Sequence, residues 1–321
     1  MYDLDGSPRM LRTFLSYMDT IKGKSKNTSK EYFYDLRTFF RFLKIHNGLV
    51  PKNAEFDKIS IDDVTPEMVS SVTLDDLYEY MAFINRNRRN SASSRARKVS
   101  SLKSFYKYMV NKAGLIENNP AKELDSPKIG KSLPKYLDLE SSIALLDSAD
   151  SQNRRDYCML TLLLNCGLRV SELTGINISD IRKNTLTVIG KGNKERTIYL
   201  NEACIKAIND YLEVRPRDGV KDRDALFLNK NKSRMGVRGV QLMVKKYLGL
   251  AGLDTAKYST HKLRHTAATL MYKHGNVDVR ALQEILGHEN LSTTEIYTHV
   301  DDEGLREAVN KNPLSGIKSK N

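Results

Sequence analysis

The sequence predicts a mainly α protein in two parts: an all-helical N-terminal domain, and a mostly helical C-terminal domain carrying a small antiparallel β-sheet. Three observations lead there. Apolar residues recur three and four apart along most of the 321-residue chain. A proline-broken stretch interrupts them before the middle, and a single segment has the alternation and glycine turn of a β-hairpin. The length suits two domains at roughly 100 to 200 residues each. Their expected bounds are 1–118 and 137–321, with a linker over 119–136.

Around Leu11, Phe14 and Met18 the spacing predicts a first helix. Thr28 and Glu31 form a capping-box pattern ahead of Phe33, Leu36, Phe40 and Leu43, which predicts a second. Thr73 and Asp76 repeat the pattern before Leu77, Met81 and Ile84. A fourth helix carries Val99, Leu102, Tyr106 and Met109 and stops at Gly114. Pro120, Pro127 and Pro134, set among polar residues, then forbid helix and leave few apolar anchors.

Beyond this linker, apolar positions in 137–146 and 157–164 predict two helices, the second ending at Cys166-Gly167. Residues 185–189 and 194–200 flank the turn Gly190-Lys191-Gly192-Asn193 as a hairpin, and Ala225-Leu226-Phe227-Leu228 reads as a further short strand. Helices are expected over 201–214, 236–249, 260–274, 277–286 and 303–310.

Lys and Arg number 52 against 39 Asp and Glu, a net charge of +13 that divides almost evenly between the two halves. Two positive domains suit a protein that grips an extended polyanion, though a generic basic protein has the same balance. Cys158, Cys166 and Cys204 lack metal-type spacing, so neither a disulfide framework nor a zinc ribbon is expected, and a reducing cytoplasm fits. No run approaches the ~18 apolar residues of a membrane helix. The first residues, Met1-Tyr2-Asp3-Leu4-Asp5, lack the basic and apolar segments of a secretory signal. A cytoplasmic protein without membrane association is expected.

Several chemistries are excluded by what is missing. The Gly-Lys turn lacks the GxxxxGK[ST] pattern and precedes a strand, so no nucleotide cofactor is expected. His261 and His265 are one helical turn apart, but Lys262 stands where a zinc-binding HExxH motif needs glutamate, and no metal is expected. The clustered carboxylates of a two-magnesium nuclease are likewise missing beside these histidines. What remains is basic. Arg169 follows the Cys166-Gly167 helix stop with Glu172 three residues on. His261 and Arg264 share one helical face near an N-terminus, where the dipole favours an anion. Leu286-Gly287-His288 closes another helix, and Tyr297 follows within Ser292-Thr293-Thr294-Glu295-Ile296-Tyr297-Thr298-His299-Val300.

Taken in order, Gly-Leu-Arg169-Val-Ser-Glu172-Leu, Ile-Gly-Lys191-Gly-Asn-Lys-Glu-Arg, His261-Lys-Leu-Arg264-His, Leu-Gly-His288 and Tyr297 resemble the tyrosine recombinase (phage integrase) family, most of all its Xer branch. The resemblance spans roughly 137–312 in motif detail, and the helical N-terminal domain resembles the family's core-binding domain in kind. It implies a site-specific recombinase that cleaves and rejoins DNA through a 3′-phosphotyrosine, with Tyr297 the matching nucleophile. By the same resemblance His261 is the base and Lys191 the acid for the leaving 5′-oxygen. Arg169, Arg264 and His288 bind the phosphate oxygens, and Glu172 is a supporting carboxylate, beside the plainer reading of an ordinary helix salt bridge. The implied partners are a double-stranded DNA core site and a homotetramer on two duplexes, with a second recombinase or a DNA translocase as further candidates. The implied place is the nucleoid. Leu305, Ala308 and Val309 form a small apolar face that could dock on the next protomer or on its own domain.

For DNA grip, the stretch from Arg86 to Lys98 holds Arg86, Arg88, Arg89, Arg95, Arg97 and Lys98 without an acidic residue, with Lys103 and Lys107 beyond it. Phosphate contact is favoured over a solvated basic face. Chromosome dimer resolution is the first expectation, and integration or excision of a mobile element the alternative. A type IB topoisomerase or a catalytically silent DNA-binding protein completes the field.

Overall fold

Phe33, Leu36, Phe40 and Leu43 do line one side of a helix, and it runs over Lys26–His46. In the computed structural model this is α2, preceded by α1 (Arg9–Thr20) and followed by α3 (Pro66–Ser70), α4 (Leu74–Arg86) and α5 (Ala92–Asn111). The structure describes residues 4–51, 53–128, 130, 135–150, 153–190, 194–275 and 277–287. The chain divides into two units, Met1–Lys131 and Ser132–Asn321.

In the first unit the cap of α2 departs from expectation. Ser25, not Thr28, is the N-cap, and its Oγ accepts the Thr28 N–H at 3.2 Å. Both residues are good caps with polar neighbours, so the apolar period, which begins only at Phe33, does not choose between them. The Thr73–Asp76 capping box forms as expected, with Asp76 accepting the Thr73 N–H at 2.8 Å and Thr73 Oγ1 accepting that of Asp76 at 3.2 Å. Within 48–72 the short α3 starts at Pro66 behind the cap Thr65. An aromatic core of Phe14, Phe39, Phe40, Tyr80, Phe105 and Tyr106 joins α1, α2, α4 and α5. Ala121 and Leu124, from the stretch read as linker, are buried in this same core.

The second unit holds α6 (Leu139–Asp150), α7 (Arg154–Cys166), α8 (Val170–Gly175), β1 (Ile181–Arg182), β2 (Thr185–Ile189), β3 (Glu195–Tyr199), α9 (Glu202–Val214), α10 (Val237–Leu250), α11 (Thr260–His274) and α12 (Val279–Leu286). α7 is its central helix: Cys158, Met159, Leu160, Leu162 and Leu163 are all buried, and α6, α9 and α11 pack around it. The strands form one antiparallel sheet in the order β1-β2-β3, with Val188 opposite Arg196 and Ile189 opposite Glu195. Strand β1 is only two residues long, too short to leave an alternation in the sequence.

Residues 225–228 are buried but do not form the expected strand; they make only isolated bridges, Asn177 with Ala225 and Leu228 with Arg234. Their backbone groups are satisfied by loops and by the side chains of Arg155, Arg215 and Tyr211 instead. Leu226 N–H donates to Ile176 O at 2.9 Å, and Arg215 Nη2 donates to Ala225 O at 2.7 Å. Cys158, Cys166 and Cys204 are buried free thiols. Among the described residues no helix is long and apolar enough to cross a membrane. The helix expected over 303–310, with its apolar face, lies outside them.

Candidate active site

Three chain segments, carrying Arg169 with Glu172, Arg196 and Arg264, meet at the end of α12. Gly167 ends α7 with φ 59° in the left-handed region, which turns the chain so that Arg169 becomes the N-cap of α8. Glu172, in the first turn of α8, folds back: its Oε2 accepts the Arg169 N–H at 2.7 Å and its Oε1 accepts Arg169 Nη1 at 2.7 Å. Arg196, on the inward face of β3, donates Nη1 and Nη2 to the two oxygens of the same carboxylate at 2.7 and 3.0 Å. Arg264 stands 3.8 Å from Glu172 Oε2. One carboxylate with 1% of its side chain exposed is therefore shared by three guanidinium groups.

The same three arginines bind the last carbonyls of α12. Arg196 Nε donates to Ile285 O at 3.2 Å, Arg264 Nη2 to Leu286 O at 2.5 Å, and Arg169 Nη2 to Gly287 O at 3.0 Å. Arg264 Nη1 also donates to Gly167 O at 2.6 Å, which ties the end of α7 to the end of α12. Orphan carbonyls and the negative end of a helix dipole are what cations satisfy best. Gly287 caps α12 with φ 64°, and a Cβ there would lie 3.0 Å from Arg196 Cδ. A side chain at Gly287 would thus be strained and would also crowd the arginine.

Burial alone would raise the pKa of Glu172, but its hydrogen bonds and charge contacts with Arg196 and Arg169 outweigh that and hold it below the usual carboxylate range. It is an anion among cations, with none of the character of an acid catalyst. Its carboxylate leaves Arg169 partly exposed, at 33% of the side chain, while Arg264 is nearly buried at 4%.

Arg169 and Arg264 line a cleft of about 460 Å³ with Ser171, Thr260 and His261. His261 sits in the first turn of α11, whose N-terminal N–H groups favour an anion at this place. The surrounding protein, and then the charges of Lys262, Arg264 and Arg169, lower its pKa and favour the neutral ring. The β2–β3 hairpin is closed by Gly190 N–H donating to Lys194 O at 2.7 Å, and a Cβ on Gly190 would stand 3.7 Å from Glu172 Oε1. The stem of the hairpin thus abuts the arginine cluster. Lys191, His288 and Tyr297 lie outside the described residues. Among those described, no group of three or more His, Cys, Asp or Glu is placed to hold a metal ion.

Arg196 belongs to this cluster although the sequence reading leaves it unassigned. The signal was alternation: Arg196 shares the inward face of β3 with buried Ile198, and an inward arginine requires a buried carboxylate.

The basic stretch of the first unit divides in the structure. Arg86, at the end of α4, and Arg88 and Arg89, in the turn that follows, are exposed, with Arg88 paired to Asp57 at 3.1 Å. Arg95 donates to Asn85 Oδ1 at 2.6 Å, and Lys103 is half-buried. Lys98, expected to contact phosphate, is instead a buried ion-pair partner. It is 6% exposed, and its Nζ meets Asp35 Oδ1 at 2.7 Å, while Arg97 binds Asp35 Oδ2 at 2.7 Å. The lysine neutralises a carboxylate buried on α2 and has no free face for a phosphate. Lys98→Ala is expected to destabilise the first unit by about 3 kcal/mol, since it removes one partner from a buried pair. Replacing Arg86 and Arg89 should leave stability unchanged and flatten the salt dependence of DNA affinity by about two phosphate contacts. Chemical denaturation and binding titrations at several salt concentrations read both.

The fold and this arginine-rich cleft define a DNA strand-transfer protein of the integrase type. Residues 135–304 match the phage integrase family, and residues 10–113 match the phage integrase N-terminal SAM-like domain. The chain belongs to the phage integrase family and is a tyrosine-type site-specific recombinase of its Xer branch. It is 59% identical over 309 residues to the tyrosine recombinase XerC of Caldanaerobacter subterraneus subsp. tengcongensis, covering 96% of this chain and 88% of that protein. Its fold is shared with the XerH recombinase in a post-cleavage complex on palindromic difH, with a TM-score of 0.66 and 23% identity, covering 94% of each chain. It is shared also with a lambda integrase tetramer bound to a Holliday junction, with a TM-score of 0.63 and 17% identity over 88% of this chain and 76% of that one.

Proposed function

We propose that the cleft between Arg169, Arg264 and His261 receives one DNA backbone phosphate and that Tyr297 attacks it. The observation that carries this reading is the convergence of the Arg169 and Arg264 guanidinium groups on adjacent carbonyls, Gly287 O and Leu286 O, from positions 95 residues apart in sequence. Two planar, permanent cations bracketing one cleft suit the non-bridging oxygens of a pentacoordinate phosphorus. His261, neutral and at the cleft, takes the phenol proton as the Tyr297 oxygen bonds to phosphorus. Lys191 gives a proton to the departing 5′-oxygen, and His288 adds a donor to the phosphate. The P–O5′ bond breaks as the P–O(Tyr) bond forms, leaving a 3′-phosphotyrosine and a free 5′-hydroxyl. Attack by the 5′-hydroxyl of a partner strand reverses the step, so no metal, nucleotide or hydrolysis is required.

Glu172 positions Arg169, Arg196 and Arg264 through its shared carboxylate. Residues 1–118 bind the core site with Arg86, Arg88, Arg89, Arg95 and Lys103 toward phosphates, 119–136 link, and 137–321 carry out the chemistry. Two duplexes require four active sites, which implies a homotetramer on DNA in the cytoplasm at the nucleoid, resolving chromosome dimers.

The test is incubation with a suicide-nicked core site mapped by footprinting. A covalent adduct together with recombinant product is expected from this protein alone. Adduct without recombinants points to a topoisomerase or to need of a second recombinase, which adding that protein distinguishes. No adduct at all rejects the reading.

A further inference from the structure

His261 does not stand alone at the cleft. On the next turn of α11, His265 places its Nε2 3.1 Å from His261 Nε2, with the two rings nearly perpendicular at 81°. Two neutral imidazoles at this distance must share a single hydrogen: two N–H groups would clash, and two lone pairs would repel. The tautomers are therefore complementary. If His265 donates, the Nε2 lone pair of His261 is occupied and its Nδ1 carries hydrogen, so the ring has no base. If His261 donates, its Nδ1 keeps a lone pair. Only the second arrangement can remove a proton from tyrosine.

We propose that His265 is a positioning residue of the recombinase reaction: by accepting the Nε2 hydrogen of His261 it fixes the tautomer that leaves Nδ1 basic, and it stabilises the imidazolium formed when His261 takes the phenol proton. The inference rests on the reading of His261 as base. Among the described residues, the charged groups that act on the pair include the cations Lys262 and Arg264 on α11 and Arg169 at the start of α8. They oppose a second proton, so the pair holds one extra proton at most. Burial first, and then His261, Lys262 and Arg264, push the pKa of His265 down to about 4, so it stays an acceptor while His261 titrates. The i,i+4 spacing on a regular helix makes the contact rigid.

The test uses full-length protein and the nicked core site, with single-turnover cleavage measured across pH for wild type, His265→Ala, His265→Gln and His261→Ala. His265→Ala is expected to cleave about 10- to 100-fold more slowly, as loss of a partner that orients a reactive imidazole commonly does. Its acid limb should move to lower pH, because His261 without its acceptor is a weaker base. His265→Gln, whose amide oxygen can accept the same hydrogen, should restore both rate and limb. A simple packing defect would slow cleavage without moving the limb. Nitrogen-15 spectra of histidine-labelled wild-type protein should show His261 as the Nε2–H tautomer. The opposite tautomer, or wild-type rates and an unmoved limb in His265→Ala, overturns the proposal. Should His265→Ala fail to fold, an unmoved rate-limb pair in His265→Gln together with the wild-type tautomer still decides it. Wild-type cleavage by His261→Ala would instead overturn the base assignment beneath it.

Discussion

Tyr297→Phe is expected to abolish the covalent protein–DNA adduct while binding the core site as the wild type does. The substitution removes one oxygen, the atom proposed to bond to phosphorus, and keeps the aromatic ring. The arginines and histidines of the cleft hold charge or move protons and form no stable phosphate ester. The loss should be complete rather than graded. At a reference pKa near 10 only about one tyrosine in a thousand is ionised at neutral pH, so with His261 as the proposed base His261→Ala should leave a slow residual rate instead. Denaturing gels after incubation with the nicked site read the adduct, and gel shifts read binding. An adduct that persists in Tyr297→Phe, traced by peptide mapping to another of the 16 tyrosines, would reject the assignment.

Glu172→Gln carries the second large effect, and it falls on stability as well as chemistry. The substitution keeps the shape but removes the carboxylate charge that three arginines share, two of which, Arg264 and Arg196, are mostly buried. Breaking a buried ion pair from one side costs about 3 to 5 kcal/mol. The catalytic unit should therefore melt early in urea, and the folded remainder should cleave at least 10²-fold more slowly, because Arg169 and Arg264 lose their common anchor. The pH dependence has a definite sign. The folded pKa of Glu172 is depressed, so its stabilisation is present above the ordinary glutamate range and is lost as the pH falls through and below it. Denaturation curves of wild type and Glu172→Gln should converge on acidification. A difference under about 1 kcal/mol at neutral pH would show that water, not protein, satisfies the cluster.

Much of this site was legible because its words are local. Arg169 with Glu172, and His261 with Arg264, are spaced so that one helical turn brings them together, and the structure keeps each pair in reach of the same cleft. What was not legible depends on partners distant in sequence. Lys98 sits in a run of basic residues that reads as a phosphate grip, but its counter-ion Asp35 lies 63 positions away on another helix. Arg196 reads as one more cation of a basic hairpin until β3 turns it inward onto Glu172. The His261–His265 spacing was visible as a possible metal pair, yet the shared hydrogen depends on ring orientations that only coordinates supply. Backbone detail failed for a different reason: Ser25 and Thr28 are equivalent caps, and the residues around 225–228 are apolar enough for a strand but find their hydrogen bonds in loops.

The carbonyls at the end of α12 carry one last implication, for how the enzyme is made. The arginines that bind them are synthesised long before they are, so a polypeptide still emerging from the ribosome has cationic side chains with no helix end to hold them in register. Until translation passes Gly287 the guanidinium groups of Arg169, Arg196 and Arg264 lack the carbonyls that hold them together, so the cluster cannot assemble before that residue is made.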